Sequence, residues 1–257
     1  MRKETTFCIG DNYCEWTYLH ELCGQLDYDI IVTDNLETLP RYGDVIVIVT
    51  SDEQCRIPAY HTDVKAIFKH YVLQNNQIKN LFPIPLGYVQ GFPIREPIPF
   101  NKRTIDVFFI GQITKTFRTL YEDRSSMMKW VRVLKQKKPH LHIEASFTKR
   151  FRAGLPIGEY ATKLYNSRVV LCPAGCWGPE TFRFFEAHIA DCNIIAIRQK
   201  ANWISECSPA YQLSEWSELP NVVDGMLSKS THTRRIYDSF YSPHAVAMYI
   251  RKIVESI

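Results

Sequence analysis

The segment Leu171-Cys-Pro-Ala-Gly-Cys-Trp-Gly-Pro-Glu-Thr-Phe-Arg-Phe-Phe-Glu-Ala187 gathers the residue types that bind anions. An apolar run ends near Cys172, a Gly- and Pro-rich loop follows, and a helix is expected from about Pro179 to Ala190, with the proline well placed at the first helical position. A helix start offers unpaired N–H groups and a partial positive charge. Gly175 and Gly178 let the backbone approach a ligand closely. Thr181 can donate a hydroxyl, and Arg183 can clamp an oxyanion with two bonds. Glu180 or Glu186 can accept hydrogen bonds from ribose or sugar hydroxyls. With about 100° between successive helical residues, Phe182, Phe185 and Ile189 fall together and are expected on a sheet. Glu180, Arg183 and Ala187 gather on a side that would face a cleft. This chemistry suits a nucleoside diphosphate. A plainer reading stays open, in which Glu180 complements the helix dipole and Arg183 pairs with Glu180 or Glu186.

The elements that must position these residues alternate in type. Thr5–Ile9, Tyr28–Val32 and Asp44–Thr50 read as buried strands. A helix lies between the first two, with Trp16, Leu19, Leu22, Cys23 and Leu26 at helical spacing. A further helix is expected over Asp63–Gln74, and a short strand around Ile84 and Leu86. Gly87–Arg103, with Pro93, Pro97 and Pro99 and no periodicity, reads as an interdomain linker. A second block follows, with strands at Thr104–Ile110, Leu141–Ala145, Arg168–Cys172 and Asn193–Ile197. Helices are expected at Leu120–Lys137, Gly158–Asn166, Glu215–Leu227 and Ser242–Ile257. Strand–helix repetition favours mostly parallel sheets, and ligands of such sheets bind beyond the carboxyl ends of the strands.

Composition agrees with a globular α/β protein. The 257 residues are 46% hydrophobic and 23% charged, with a net charge of +4. That excess suits phosphate-bearing ligands and is too small to argue for nucleic acid by itself. No apolar run reaches 18 residues, so no membrane span is expected, and a cytoplasmic protein is the expectation. The eight cysteines read as reduced thiols. Cys172 and Cys176 have no second ligand pair, and no zinc site is expected. Cys8, Cys172 and Cys192 read as small core residues at strand ends.

A family resemblance rests on motif order. Tyr160, Leu164 and Ser167, then Leu171-Cys-Pro-x-Gly175, then Glu180-Thr-Phe-Arg-Phe-Phe-Glu-Ala187, then Ile194-Ile195, resemble the core of exostosin-like glycosyltransferases. Asp106-Val-Phe-Phe-Ile-Gly-Gln112 is similar to the strand–glycine start of their donor lobe, with Arg118 soon after. Leu213-Ser-Glu-Trp-Ser217 looks like their short segment before a helix near the donor. Ile84-Pro-Leu-Gly-Tyr88 resembles the end of their acceptor lobe. The match runs from about Asp106 to Leu227. Asp191-Cys-Asn193 and Ile195-Ala196 depart from the family's Gly-containing turn and Ile-Pro.

The resemblance implies two Rossmann-like lobes with a mostly parallel sheet in each, the glycosyltransferase type B architecture in a compact version. The expected division is 1–95 for an acceptor-side lobe and 96–240 for a nucleotide-sugar donor lobe. Residues 241–257 would form a helix returning to the first lobe. Gly111, Lys115, Arg118, Gly175, Glu180, Thr181, Arg183 and Glu186 would bind donor. Clustered cations can stabilise a departing diphosphate, and no Asp-x-Asp triplet occurs, so no essential metal or other cofactor is expected. An acceptor base would sit on the first lobe. Asp52 and Glu53 follow the strand Asp44–Thr50 and are the candidates, with Asp11 and His20 as rivals. Arg183 completes the catalytic set.

The partners expected are a nucleotide-diphosphate sugar and an acceptor saccharide or lipid-linked glycan. A hydroxylated base in DNA is an alternative acceptor, and a degenerate, non-catalytic nucleotide- or glycan-binding module is an alternative function. The basic runs Lys135–Lys138 and Lys149–Arg152 read as solvated surface, though Phe147 and Phe151 beside the second also fit an anionic polymer. Trp177 can stack on a sugar or base. The oligomeric state is not legible.

Overall fold

The computed structural model describes residues 3–73, 76–112, 122–148, 154–175, 180–197 and 208–257. Among the described residues, ten strands form two parallel five-stranded sheets. The first contains β1 (Thr5–Phe7), β2 (Ile30–Thr33), β3 (Gly43–Val49), β4 (Val64–Lys69) and β5 (Leu81–Pro83), in chain order across the sheet. The second contains β6 (Ile105–Gln112), β7 (Ile143–Thr148), β8 (Ser167–Cys172), β9 (Asn193–Ile197) and β10 (Tyr211–Leu213). Its order is β10-β9-β8-β6-β7. The order reverses between β6 and β8, so a crevice opens beyond the carboxyl ends of these two strands.

Alternation along the strands builds the core. Val45, Val47 and Val49 of β3 face one apolar cluster, and Ile46 and Ile48 face another. In β6, Phe108 points one way while Val107 and Phe109 point the other. Both faces of each sheet are thus covered, as parallel sheets require. One cluster runs from Ile30, Ile48 and Phe68 of the first sheet to Phe108, Val170 and Ile194 of the second. Ile84, Leu86, Tyr88 and Phe92 bridge the two sheets within it.

Among the described residues the helices of eight residues or more are α1 (Trp16–Cys23), α2 (Glu122–Lys137), α3 (Ile157–Tyr165), α4 (Phe182–Ile189), α5 (Leu219–Ser228) and α6 (Pro243–Val254). Ser242 caps α6, accepting from the Ala245 N–H at 3.2 Å, and Pro243 takes the first helical position. Val246, Ala247, Ile250 and Val254 form the buried stripe of α6. This helix packs on α1, where the Tyr18 hydroxyl donates to the Tyr241 carbonyl at 2.9 Å. Gly87 passes so close to the Tyr18 ring that a Cβ there would lie 2.4 Å from it, and its φ of +75° also calls for glycine.

Several expectations are corrected. Within the helix expected over Asp63–Gln74, Val64–Lys69 is instead a strand between β3 and β5. A short apolar run buried on both faces has no period to distinguish strand from helix, and its Val, Ile and Phe favour the strand. The strand sought around Ile84 ends at Pro83, and Ile84 and Leu86 are buried in extended chain beyond it. Helix α4 begins at Phe182 with Thr181 at its N-cap position, three residues later than the expected Pro179. Ala187 is sealed in the core and Phe182 lines the cleft, because α4 is covered nearly all round. Cys172 and Cys192 are buried as expected, but Cys8 is exposed.

Candidate functional site

A cavity of about 860 Å³ lies between the carboxyl-end loops of the two sheets, within the range of ligand sites. From the second sheet come Gly111 and Gln112 at the end of β6, Gly175 after β8, and Glu180 to Arg183 with Glu186 around the start of α4. The first sheet gives Glu15 before α1 and Ser51 to Gln54 after β3, with Arg56 and Tyr71. The cleft therefore gathers Gly111, Gly175, Glu180, Thr181, Arg183, Glu186, Asp52 and Glu53. Asp11 and His20 are exposed and do not line it. Lys115, Arg118, Cys176, Trp177, Gly178, Lys149 and Phe151 lie outside the described residues.

Arg183 stands at the reversal point. Its Nη2 donates to the Ile110 carbonyl, and its guanidinium lies over the Phe109 ring, 4.5 Å from the centroid. Among the described residues the two remaining donor nitrogens, Nε and Nη1, are buried without a hydrogen-bond partner. The Thr181 hydroxyl and Glu53 Oε2 are likewise buried and unpaired. Buried polar atoms are nearly always paired, so four such atoms on one cleft mark the place of a polar ligand. Gly111 makes room for Arg183: a Cβ there would lie 2.8 Å from Nη2.

Glu186 is used differently. Its carboxylate accepts from the Tyr160 hydroxyl at 2.8 Å and the Val89 N–H at 3.2 Å. Burial raises its pKa, and Tyr160, Val89 and Arg183 pull against that. It ties α3, α4 and the segment between the sheets together at the cleft wall. Burial pushes the Glu180 carboxyl up to about 8, with the Lys69 ammonium opposing. At neutral pH Glu180 is thus largely protonated, a form able to donate a hydrogen bond.

On the opposite wall, Asp52 is sealed beneath its loop. It accepts from the Arg56 N–H at 2.6 Å and Arg56 Nε at 2.9 Å, and its Oδ2 lies 3.1 Å from Lys69 Nζ. Burial acts to raise its pKa, but Arg56 and Lys69 outweigh it and the net shift is downward. Such a carboxylate holds the loop and makes a poor base.

Sequence reasoning missed Glu15. Its Oε1 accepts from the Thr50 hydroxyl at 2.8 Å, and His70 Nδ1 lies 3.2 Å from the same oxygen of Thr50. The single hydroxyl proton goes to Glu15, so His70 donates through Nδ1. Burial drives the His70 pKa down to about 3, which keeps the ring neutral. Around Tyr71, whose phenol is pushed well up by burial, stand the carboxylates of Glu53, Glu180 and Glu15. Arg124 was also missed. It donates to the Gln112 carbonyl at 2.7 Å and the Ala174 carbonyl at 3.2 Å, bracing the ends of β6 and β8 on the cleft.

Among the described residues no group of three or more His, Cys, Asp and Glu is placed to hold a metal ion, and no helix is long and apolar enough to cross a membrane. Lys135 and Lys137 are exposed at the end of α2, where Lys138 pairs with Asp224 at 2.5 Å.

Known structures share this arrangement of two parallel sheets around a cleft. A point mutant of S. aureus TarM, in complex with fondaparinux, α-GlcNAc-glycerol and UDP, superposes with a TM-score of 0.54 at 10% identity. The alignment covers 88% of this chain and 55% of that one. The pneumococcal O-GlcNAc transferase GtfA, in complex with UDP and GlcNAc, gives 0.50 at 11% identity, covering 94% and 59%. An α1,3-fucosyltransferase gives 0.50 at 10% identity, covering 98% and 91%. The fold is that of the type B glycosyltransferases. This type B chain spans little more than half the length of the first two neighbours. No protein-family model matches it, the exostosin-like one included, and no curated protein matches it.

Proposed function

We propose that this protein is a glycosyltransferase that takes a nucleotide-diphosphate sugar on the second-sheet side of the cleft and an acceptor hydroxyl on the first-sheet side. The observation that carries this reading is the Arg183 guanidinium at the reversal point of a parallel sheet, whose Nε and Nη1 are buried without a hydrogen-bond partner among the described residues. A diphosphate accepts both bonds, and the cation stabilises the charge that grows as the sugar departs. Thr181 and the Gly111 and Gly175 backbones complete the cradle, with Lys115 and Arg118 as the further cations expected from sequence. Neutral Glu180 serves as a hydrogen-bond donor to donor oxygens. With arginines supplying positive charge, no essential metal is required.

Glu15 is the base we favour for an acceptor hydroxyl, with Glu53 beside it. Thr50 and His70 orient Glu15, whereas Asp52 is consumed by Lys69 and Arg56. The exostosin-like assignment draws support from Tyr160 and Glu186, two residues of the matched motifs that hydrogen-bond one another at 2.8 Å. Two of the neighbours above contain UDP, so uridine diphosphate is the first ligand to test. The acceptor we favour is a glycan, lipid-linked or free. Nothing in the three neighbours points to a modified base in DNA.

Thermal unfolding against nucleoside diphosphates, with chelator present, tests the reading. A ligand at 100 times its Kd adds about 2.7 kcal/mol of stability, a shift of several degrees. One diphosphate should produce it without metal, and the matching nucleotide sugar should be slowly hydrolysed. Binding without hydrolysis indicates a module that recognises the nucleotide without turnover. No shift with any diphosphate overturns the proposal.

A further inference from the structure

A second cavity, of about 370 Å³, opens on the first-sheet side and shares Arg56 and Tyr71 with the main cleft. Its remaining wall is mainly aliphatic, from Ile57, Val72, Leu73, Ile78 and Leu81. Ile57 and Leu73 are 52% and 59% exposed, among the most exposed large aliphatic side chains described. Scattered exposed aliphatics are ordinary; two on the rim of one cavity beside a ligand cleft are a patch.

Two of the polar side chains of this wall, Lys69 and Asn76, are already bonded. Lys69 Nζ, besides its contact with Asp52 Oδ2, donates to the carbonyls of Asp52, His70 and Tyr71 at 3.4, 3.0 and 3.3 Å. Asn76 donates to the Leu81 carbonyl at 3.2 Å and accepts from the Ile78 N–H at 3.1 Å. Gln77 and the shared Arg56 and Tyr71 complete the polar part of the lining. The loops that hold the cavity open are fixed at a cost. Ser51, Cys55 and Tyr71 have φ of +63°, +59° and +55°, three of the five described non-glycine residues in that region. Such conformations persist only where the surroundings over-determine them, and they cluster at ligand sites. Lys69 supplies that constraint by binding both loops.

We propose that this cavity receives the aliphatic chain of an amphiphilic acceptor whose hydroxylated head lies in the main cleft near Glu15 and Glu53. The inference rests on the acceptor-side reading above and adds a substrate class, a sugar carrying an alkyl chain. Arg56 and Tyr71 border both spaces, so the cavity adjoins the cleft where the head would lie, and its five aliphatic side chains favour a chain over a second sugar.

The test is titration calorimetry with UDP present, comparing n-octyl β-glucoside below its micelle concentration with methyl β-glucoside. The wild type and the double variant Ile57→Asp, Leu73→Asp are both used. Each substitution is at an exposed position, and UDP affinity in the same samples reports whether the fold is kept. Burying a few methylenes predicts that the octyl glucoside binds at least about tenfold more tightly than the methyl glucoside. The double variant should lose that advantage. Equal binding of the two glucosides by the wild type, or an octyl advantage that survives in the variant, overturns the inference while UDP binding leaves the donor reading standing. Failure of UDP to bind overturns the donor reading instead. Should the double variant lose UDP binding as well, Leu73→Asp alone is the substitute and must show the same loss of advantage.

Discussion

Lys69 Nζ lies 3.1 Å from Asp52 Oδ2, and both side chains are almost wholly sealed from water, at 1% and 2% exposure. Buried pairs gain little over apolar replacements, but removing one partner strands the other charge. Lys69→Met should therefore destabilise the protein by about 3 kcal/mol or more in urea unfolding. Adding Asp52→Asn should cost less than the sum of the two single changes. Since the folded Asp52 pKa is lowered, its ionised form stabilises the fold at neutral pH. That stability is present above the unfolded value of about 3.9 and is lost as pH falls from there through the folded value. Asp52→Asn should remove this part of the acid transition.

Glu180 gives the opposite pH dependence. Its folded pKa is lifted to about 8, against an unfolded value of about 4.3. Between these values the folded state holds a proton that the unfolded state has released, so stability declines as pH rises through that window and levels above it. Glu180→Gln should flatten the decline, most visibly in unfolding curves compared at pH 6 and pH 9. Diphosphate affinity should also fall in the wild type above pH 8, as a carboxylate replaces a donor, and fall less in Glu180→Gln.

Gly111→Ala probes the seat of Arg183. The added Cβ would meet Phe109 Cζ at 2.7 Å and Arg183 Nη2 at 2.8 Å. Phe109 is locked in the core, so the arginine must yield. The variant should fold, losing about 1–3 kcal/mol from crowding, and its diphosphate affinity should drop about tenfold or more because the guanidinium has moved. Unchanged affinity would show that Gly111 does not set the position of Arg183.

How much of this was legible in the sequence depends on how local each feature is. Arg183 was legible because its setting is a strand end, a glycine loop and a helix start within a dozen residues. The apolar runs Asp44–Thr50 and Thr104–Ile110, rich in Val, Ile and Phe, likewise mark strands by themselves. Glu15 was not legible: its partner Thr50 is 35 residues away and His70 a further 20; the parallel packing of β3 beside β4 brings Thr50 and His70 together, and Glu15 reaches them from the segment between β1 and α1. Val64–Lys69 misled because a strand buried on both faces loses the alternation that identifies it. Asp52 had the expected place, at the end of β3. What the sequence could not show is that Lys69, on the neighbouring strand, would occupy it.

The central claim is that Arg183 holds a nucleoside diphosphate in the cleft. It is tested most directly by calorimetric titration of UDP, in chelator, into the wild type and Arg183→Ala. Two charge-assisted hydrogen bonds at about 1.5 kcal/mol or more each predict a loss of about 100-fold or greater in affinity. The unfolding midpoint without ligand should change little, because among the described residues the side chain makes one hydrogen bond, to the Ile110 carbonyl, besides lying over the Phe109 ring. Tight, metal-free binding by the wild type and its loss in a folded Arg183→Ala is the predicted result. Equal UDP affinity in the two proteins would contradict the account.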